Sequence, residues 1–132
     1  MDRLFLDANV LFSAAYRVGA GLLELWRLKD VKLCTSRYAL EEAKINLQEA
    51  PQRQRLERLV WTMEVVNSDV ELVPRGICLP DKDAPILLGA IAARATHLIT
   101  GDLRHFGPYL GKKLAGILVQ TPGEYLRRRG RK

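Results

Sequence analysis

The chain alternates short apolar runs with longer segments in which apolar residues recur at helical spacing. Short runs bounded by turn residues predict buried strands, and the wider periodicity predicts amphipathic helices. The predicted strands cover residues 4–6, 31–34, 70–73, 97–100 and 117–119. The predicted helices cover residues 10–28 with a break near Gly19 and Gly21, 37–50, 52–66, 81–95, and a terminal segment that begins at Pro122.

Strands separated by helices indicate an α/β fold. Because such connections are right-handed crossovers, they build a mostly parallel central sheet flanked by helices on both faces, a three-layer α/β/α arrangement. In sheets of this kind the functional crevice lies beyond the carboxyl ends of the strands. The polar residues that directly follow the strands are therefore the first candidates for a functional site.

Composition narrows the class of protein. The chain has 132 residues, of which 48% are hydrophobic and 27% charged, which is typical of one globular domain. No apolar run approaches the roughly 18–20 residues that span a bilayer, and the start Met1-Asp2 is unlike a signal peptide. The two cysteines, Cys34 and Cys78, favour a reduced protein over a disulfide-stabilised secreted one. We therefore expect a cytoplasmic protein with no membrane segment.

The positive charge is concentrated at one end of the chain. The net charge is +6, from 21 Lys+Arg and 15 Asp+Glu, and residues 127–132 hold five of the positive charges. Without them, 16 positive and 15 negative residues leave a net charge of +1. We expect a domain over residues 1–126 and a basic tail over 127–132. Tail residues that suit contact with nucleic-acid phosphates, if the tail is more than a solubilising end or a cloning remnant, are Arg127, Arg128 and Arg129.

Two acids follow predicted strands. Asp7 comes directly after the strand at 4–6, and Asp102 follows the strand at 97–100 and Gly101. Because the carboxyl ends of parallel strands meet at one edge of the sheet, we expect these carboxylates near one another. Each acid also suits a turn or a helix N-cap, so neither identifies a site by itself.

Helical spacing separates Glu41 from Glu42. In the predicted helix 37–50, Glu41 shares its stripe with two basic residues, which is a solvated ion-pair setting. Glu42 instead lies between Tyr38 and Ile45, both of which are able to pack. An acid on a partly apolar stripe needs a partner, a metal ion or a raised pKa, so Glu42 is the candidate site residue.

The acids around residue 82 are separated in the same way. Asp81 and Asp83 both lie near a predicted helix N-terminus, where the helix dipole favours negative charge whatever the function. Asp83 begins the stripe of Ile86 and Leu87, which must face the core, so its carboxylate is expected to lean toward the sheet end. Asp81 is expected to be a helix cap or an auxiliary residue.

Four converging carboxylates would repel each other unless a cation lay among them. Oxygen ligands with room for water are what Mg²⁺ or Mn²⁺ prefers, and such a site suits hydrolysis of a phosphodiester. The sequence has no Gly-Lys-Ser/Thr phosphate loop, no Gly-x-Ser-x-Gly elbow and no His-Glu-x-x-His motif. The acidic residues are therefore the candidates for a catalytic site.

Several stretches together resemble a PIN domain, the metal-dependent ribonuclease fold that includes VapC-type toxins of toxin–antitoxin pairs. The matching stretches are LFLDANVL at 4–11, TSRYALEE at 35–42, KDAPIL at 82–87, ATHLITGD at 95–102 and GILVQTPGEYL at 116–126. Each is common alone, whereas four acids in this order and context are specific. The resemblance extends over nearly the whole chain.

The resemblance implies a metal-dependent endoribonuclease that leaves a 5′-phosphate and a 3′-hydroxyl. The implied catalytic, metal-binding acids are Asp7, Glu42, Asp83 and Asp102. The implied supporting residues, which orient a carboxylate or a metal-bound water, are Asn9 and Thr100. RNA as substrate, an antitoxin as partner and a homodimer are implied as well. No further acid follows Asp102 in the stretch 103–108, so the number of metal ions stays open.

Other residues near the acids leave alternatives open. Lys82 and Arg104 flank the acids and suit either RNA-backbone contact or a solvated surface. His97 is expected to be structural, and His105 is not assigned to the site because a metal-activated water needs no histidine. A non-catalytic RNA- or protein-binding module on the same fold is the main alternative function. A phosphoacceptor domain that uses Asp7 is a second alternative, but it would leave Glu42 and Asp83 unexplained.

Overall fold

Six strands and six helices make up the fold of the computed structural model, which describes residues 1–67 and 84–129. The strands are β1 (Asp2–Leu6), β2 (Val31–Ser36), β3 (Glu64–Val66), β4 (His97–Ile99), β5 (Lys113–Leu114) and β6 (Ile117–Gln120). The helices are α1 (Ala8–Tyr16), α2 (Glu24–Arg27), α3 (Arg37–Asn46), α4 (Ala50–Trp61), α5 (Ala84–Ala92) and α6 (Pro122–Arg129). Short 3-10 helices occupy Gly21–Leu23 and Gly107–Tyr109.

The strands form one sheet in the order β3-β2-β1-β4-β6-β5. All neighbouring strands are parallel except β5 and β6, which confirms the predicted mostly parallel, three-layer α/β/α domain. The register pairs Leu6 of β1 with Ile99 of β4. The carboxyl ends of these two central strands therefore meet at one edge of the sheet, directly before Asp7 and Asp102.

One face of the sheet is covered closely by α5. Gly89 of α5 lies against the ring of Phe5 and the side chain of Ser36, both of which are fully buried. The opposite face is covered by α6, whose Tyr125 ring meets the ring of His97 edge-on at a centroid distance of 5.1 Å. The two helices thus pack on opposite faces of β1 and β4, as the three-layer prediction requires.

Local sequence sets where the helices begin. Ser36 caps α3 by accepting a hydrogen bond from the backbone N–H of Ala39 at 3.1 Å. At α6 the backbone N–H of Thr121 donates to Glu124, and the N–H of Glu124 donates to the Thr121 hydroxyl, which is a capping box. The hydrogen bonds from Thr121 lower the pKa of Glu124.

Two strands differ from the sequence prediction. The predicted helix 52–66 is wrong at its end, because α4 stops at Trp61 and residues Glu64–Val66 pair with β2 as the edge strand β3. Strand β5 was not predicted, and it joins β6 through Ala115 and Gly116, both with positive φ. The predicted strand 70–73 and residues 81–83 of the predicted helix lie outside the described residues.

The first three arginines of the predicted basic tail belong to helix α6. Helix α6 continues through Arg129, so the predicted boundary between residues 126 and 127 falls inside a helix, and residues 130–132 lie outside the described part. Arg129 donates to the Tyr125 hydroxyl and to the Lys29 carbonyl. Burial and a hydrogen bond to Asp2 raise the pKa of Tyr125 to about 12.

None of the helices in the described part of the chain has both the length and the apolar character of a membrane span.

The close approach of α5 to the sheet gives a stability prediction for Gly89→Ala. An added Cβ would lie 2.9 Å from Phe5 Cζ and 3.0 Å from Ser36 Cβ, so α5 must shift outward. We expect a loss of about 1–3 kcal/mol in the free energy of unfolding, despite the higher helix propensity of alanine. Urea unfolding measures the loss. Gly21→Ala is the control, because its Cβ would meet nothing within 4 Å. Equal stability of the two variants would contradict close packing of α5.

Candidate active site

A cavity of about 470 Å³ lies beyond the carboxyl ends of β1 and β4. Three acids line it, from the end of β1, from α3 and from the loop after β4: Asp7, Glu42 and Asp102. The apolar side chains of Phe12 and Ile86 form part of its wall. The cavity is thus at the position predicted for the functional crevice and contains three of the four predicted acids.

Asp7 is held in place by the end of β1 and the start of α1. Its backbone N–H donates to the Ile99 carbonyl at 3.0 Å and so extends the pairing of β1 with β4 by one residue. Its Oδ1 accepts from the Ala8 N–H at 2.6 Å as the N-cap of α1. The residue is only 4% exposed. A carboxylate this deeply buried requires donors, and the local backbone provides the first of them.

The Thr100 hydroxyl connects the two strand-end acids. It is fully buried, donates to Asp7 Oδ2 at 2.7 Å, and accepts from the Asp102 backbone N–H at 3.0 Å. Thr100 does not line the cavity but lies behind the acids. One side chain thus fixes the position of Asp7 relative to the loop that carries Asp102.

Asn9 forms a second connection between the same elements. Its Nδ2 donates to Asp7 Oδ2 at 3.2 Å, and its Oδ1 accepts from the Gly101 N–H at 2.8 Å. A Cβ on Gly101 would lie 3.2 Å from Asn9 Oδ1, so the glycine permits this close contact. Asn9 therefore holds α1 against the loop after β4 and orients the Asp7 carboxylate.

Asp102 is fixed by its own loop. Its Oδ1 accepts from the backbone N–H groups of Arg104 and His105, each at 3.1 Å. Its Oδ2 lies 3.0 Å from His105 Nδ1. The residue is thus both a turn residue and a cavity-lining acid, and its carboxylate has a defined orientation before any ligand binds.

Glu42 faces the cavity from α3, whereas Glu41 is exposed and lies 3.9 Å from Lys44. The predicted distinction between the two acids therefore agrees with their burial. One part of the argument for it is wrong, because Ile45 is 75% exposed and does not pack beside Glu42. Asn46, one turn after Glu42, also lines the cavity and was not predicted.

The predicted arginines do not line the cavity. Asp81, Lys82 and Asp83 lie outside the residues that the structure describes. Arg104, Arg127 and Arg128 are exposed, and Arg129 is half-buried beside Asp2. Arg128 and Arg129 lie beside Asp2. Because Asp2 begins β1 and Asp7 follows its end, these two arginines lie near the opposite end of the sheet from the cavity.

Sequence reasoning set aside one cavity residue, His105, which lines the cavity beside Asp102. The spacing of three residues was a usable signal. An acid after a strand, followed by a turn, brings the residue three positions later back to its carboxylate.

The donor set fits a hard divalent cation. Asp7, Glu42 and Asp102 supply oxygen ligands, and Mg²⁺ is commonly held by one or two carboxylates while it keeps several waters. A cavity of about 470 Å³ has room for those waters. Within residues 1–67 and 84–129, no group of three or more His, Cys, Asp or Glu side chains lies in an arrangement that could hold a metal ion. The three acids therefore have the ligand chemistry that such an ion prefers, but they do not form a complete ligand set within the described residues.

Comparisons with known proteins agree with the fold. A family model described as a PIN domain matches residues 3–104. A chain of VapBC2 from Rickettsia felis, bound to a DNA fragment from its promoter, matches with a TM-score of 0.66 and 16% identity over 90% of this chain and 98% of that one. A chain of VapBC-1 from nontypeable Haemophilus influenzae matches with a TM-score of 0.58 and 18% identity over 92% and 98%. A comparison with curated protein sequences finds no match.

The position of the Thr100 hydroxyl predicts a large difference between two substitutions. Thr100→Val keeps the shape but leaves the buried Asp7 carboxylate and the Asp102 N–H each short of a partner, so we expect a loss of about 3 kcal/mol in unfolding free energy. Thr100→Ser keeps the hydroxyl and should lose only about 1 kcal/mol for the missing methyl group. Chemical denaturation checks both values. If valine and serine cost the same, the hydroxyl is not what holds the two acids.

Proposed function

The chain belongs to the PIN-domain family, and on that premise we propose that it is a divalent-metal-dependent endoribonuclease, the toxin of a toxin–antitoxin pair. The observation that carries the proposal is the cavity that Asp7, Glu42 and Asp102 line from three different elements. Acids from separate elements would not be gathered at one sheet edge by helix capping alone.

We assign the binding of Mg²⁺ or Mn²⁺ to Asp7, Glu42 and Asp102, with Asp83 as the fourth acid and Asp81 as an auxiliary. When bound, such an ion lowers the pKa of a coordinated water and neutralises the negative charge that develops on the reacting phosphate. Thr100 and Asn9 orient the Asp7 carboxylate through hydrogen bonds of 2.7 and 3.2 Å.

The protein's own contribution is preorganisation. Asp7 and Asp102 are oriented by hydrogen bonds that already exist, so little conformational entropy is lost when the ion and the RNA phosphate arrive. Phe12 and Ile86 form an apolar part of the wall beside the acids. Hydrolysis of the RNA is proposed to leave a 5′-phosphate and a 3′-hydroxyl.

Protein partners and location complete the proposal. We propose an antitoxin as a protein partner, because both structural relatives described above were solved as VapBC assemblies. A second copy of the chain is proposed as a further partner, and the cytoplasm as the location. Lys82 and Arg104 are proposed to contact the RNA backbone near the acids.

The cleavage proposal predicts that Asp7→Asn and Glu42→Gln abolish Mn²⁺-dependent cleavage of RNA. We expect each variant to lose at least about 100-fold in the single-turnover rate, because the ion supplies several kcal/mol of transition-state stabilisation. Gel analysis of end-labelled RNA at saturating protein measures the rate. Glu41→Gln is the matched control, since the exposed neighbour should cleave at the wild-type rate.

RNA cleavage, RNA binding and phosphate transfer together distinguish the nuclease from a binding module and from a phosphoacceptor domain. Stoichiometric RNA binding by the wild type, without metal-dependent cleavage of varied RNAs, would replace the nuclease with a binding module. Transfer of phosphate to Asp7 from a small phosphodonor would instead favour a phosphoacceptor domain. Equal activity of Asp7→Asn and the wild type would refute the assignment of Asp7.

We propose that the exposed side of α6 holds RNA but does not cleave it. The double variant Arg127→Gln/Arg128→Gln should weaken RNA binding and reduce the salt slope by about 1–1.5, because each single-strand phosphate contact contributes about 0.7. Its cleavage rate at saturating RNA should equal that of the wild type, since no residue of α6 lines the cavity. Arg58→Gln/Lys112→Gln removes two exposed charges elsewhere and is the control. Loss of cleavage at saturation would contradict this division.

A further inference from the structure

His105 lines the cavity, and a nitrogen of its side chain lies within hydrogen-bond distance of the candidate metal-binding acid Asp102. Its Nδ1 lies 3.0 Å from Asp102 Oδ2, and its backbone N–H lies 3.1 Å from Asp102 Oδ1. His105 thus contacts both oxygens of the Asp102 carboxylate, one with its side chain and one with its backbone.

The bond from the ring completes the orientation of Asp102. A carboxylate has about four acceptor positions. The backbone N–H groups of Arg104 and His105 use two of these on Oδ1. Neither of these two bonds reaches Oδ2. His105 Nδ1 contacts Oδ2 and so fixes the plane of the carboxylate. One acceptor position on Oδ2 then remains for a cation or its water.

The chemistry also sets the direction of the hydrogen bond. An ionised carboxylate only accepts hydrogen bonds, so Nδ1 of His105 must carry the proton that is donated to Asp102. His97 is different, because its Nδ1 lies 2.8 Å from the Thr96 hydroxyl and its ring packs on Tyr125, on the face of the sheet covered by α6. The two histidines of the chain are therefore in unlike environments.

We propose that His105 is a positioning residue that holds Asp102 in the orientation needed to bind the divalent ion. The inference rests on the proposed nuclease function and adds to it a residue outside the four acids. Hydrogen-bond partners of metal ligands fix the ligand's orientation and raise its affinity, and their loss commonly weakens metal binding by about 10–100-fold.

Three substitutions at His105 isolate the Nδ1 donor. His105→Asn places an amide nitrogen as many bonds from Cβ as Nδ1, so it keeps the donor. His105→Gln places its amide nitrogen one bond further, at the distance of Nε2, and His105→Leu removes every donor. His97→Asn is the matched control, because it replaces the other histidine, which does not line the cavity.

The test measures Mn²⁺ affinity by calorimetry on the full chain without RNA, together with single-turnover cleavage and thermal unfolding of the metal-free protein. We expect His105→Leu and His105→Gln to bind Mn²⁺ about 10-fold more weakly. Their cleavage should recover when the Mn²⁺ concentration is raised. His105→Asn and His97→Asn should stay within about twofold of the wild type in Mn²⁺ affinity, a smaller change than partner loss causes.

Two results would overturn the inference while the nuclease proposal stands. One is wild-type Mn²⁺ affinity in His105→Leu. The other is equal weakening in His105→Asn and His105→Leu at unchanged thermal stability, which would assign the role to another part of the ring. A wild-type protein that neither binds Mn²⁺ nor cleaves RNA would overturn both proposals together, so the two failures are distinguishable.

Discussion

The arrangement of the site depends on the two hydrogen bonds of the Thr100 hydroxyl. It has one proton and two lone pairs, and in a fully buried position it gives the proton to Asp7 and accepts the backbone N–H of Asp102. The parallel pairing of β1 with β4 brings these groups together, since Leu6 lies opposite Ile99. The pairing of β1 with β4 therefore fixes the position of the Asp7 carboxylate relative to the loop that carries Asp102. Neither strand could do this alone.

Asp7 and Asp102 each combine a local structural contact with a position in the wall of the cavity. Asp7 caps α1 with one oxygen and accepts from Thr100 and Asn9 with the other, while the same residue lines the cavity. Asp102 closes a turn and lines the cavity as well. A cap or a turn is a way to desolvate and orient a carboxylate at little cost, because the backbone donors would otherwise lack partners. The capping and site interpretations of such a residue therefore do not exclude each other.

Much of the fold could be predicted because it follows from local pattern, and the exceptions have physical causes. The end of α4 could not be located, since helical periodicity does not show where Glu64–Val66 pairs with β2. The hairpin before β6 was missed because its turn has Ala115 in the left-handed region, where Asn or Gly would signal a turn. At the site, the positions of Asp7 and Asp102 could be predicted because both follow strands, and that of Glu42 because of its spacing in α3. The role of His105 depends on a loop conformation that the sequence pattern does not specify.

The acids of the cavity and the basic residues at the end of α6 are separated along the sheet. Five residue steps along β1 separate Asp2, beside which Arg129 lies, from Asp7, which at about 3.3 Å per residue is about 16 Å. That separation exceeds the Debye length of about 8 Å at physiological ionic strength. The charges of Arg128 and Arg129, both of which lie beside Asp2, are therefore largely screened at the acids. A net charge of +6 spread around the cavity would instead oppose the divalent ion of the proposed function.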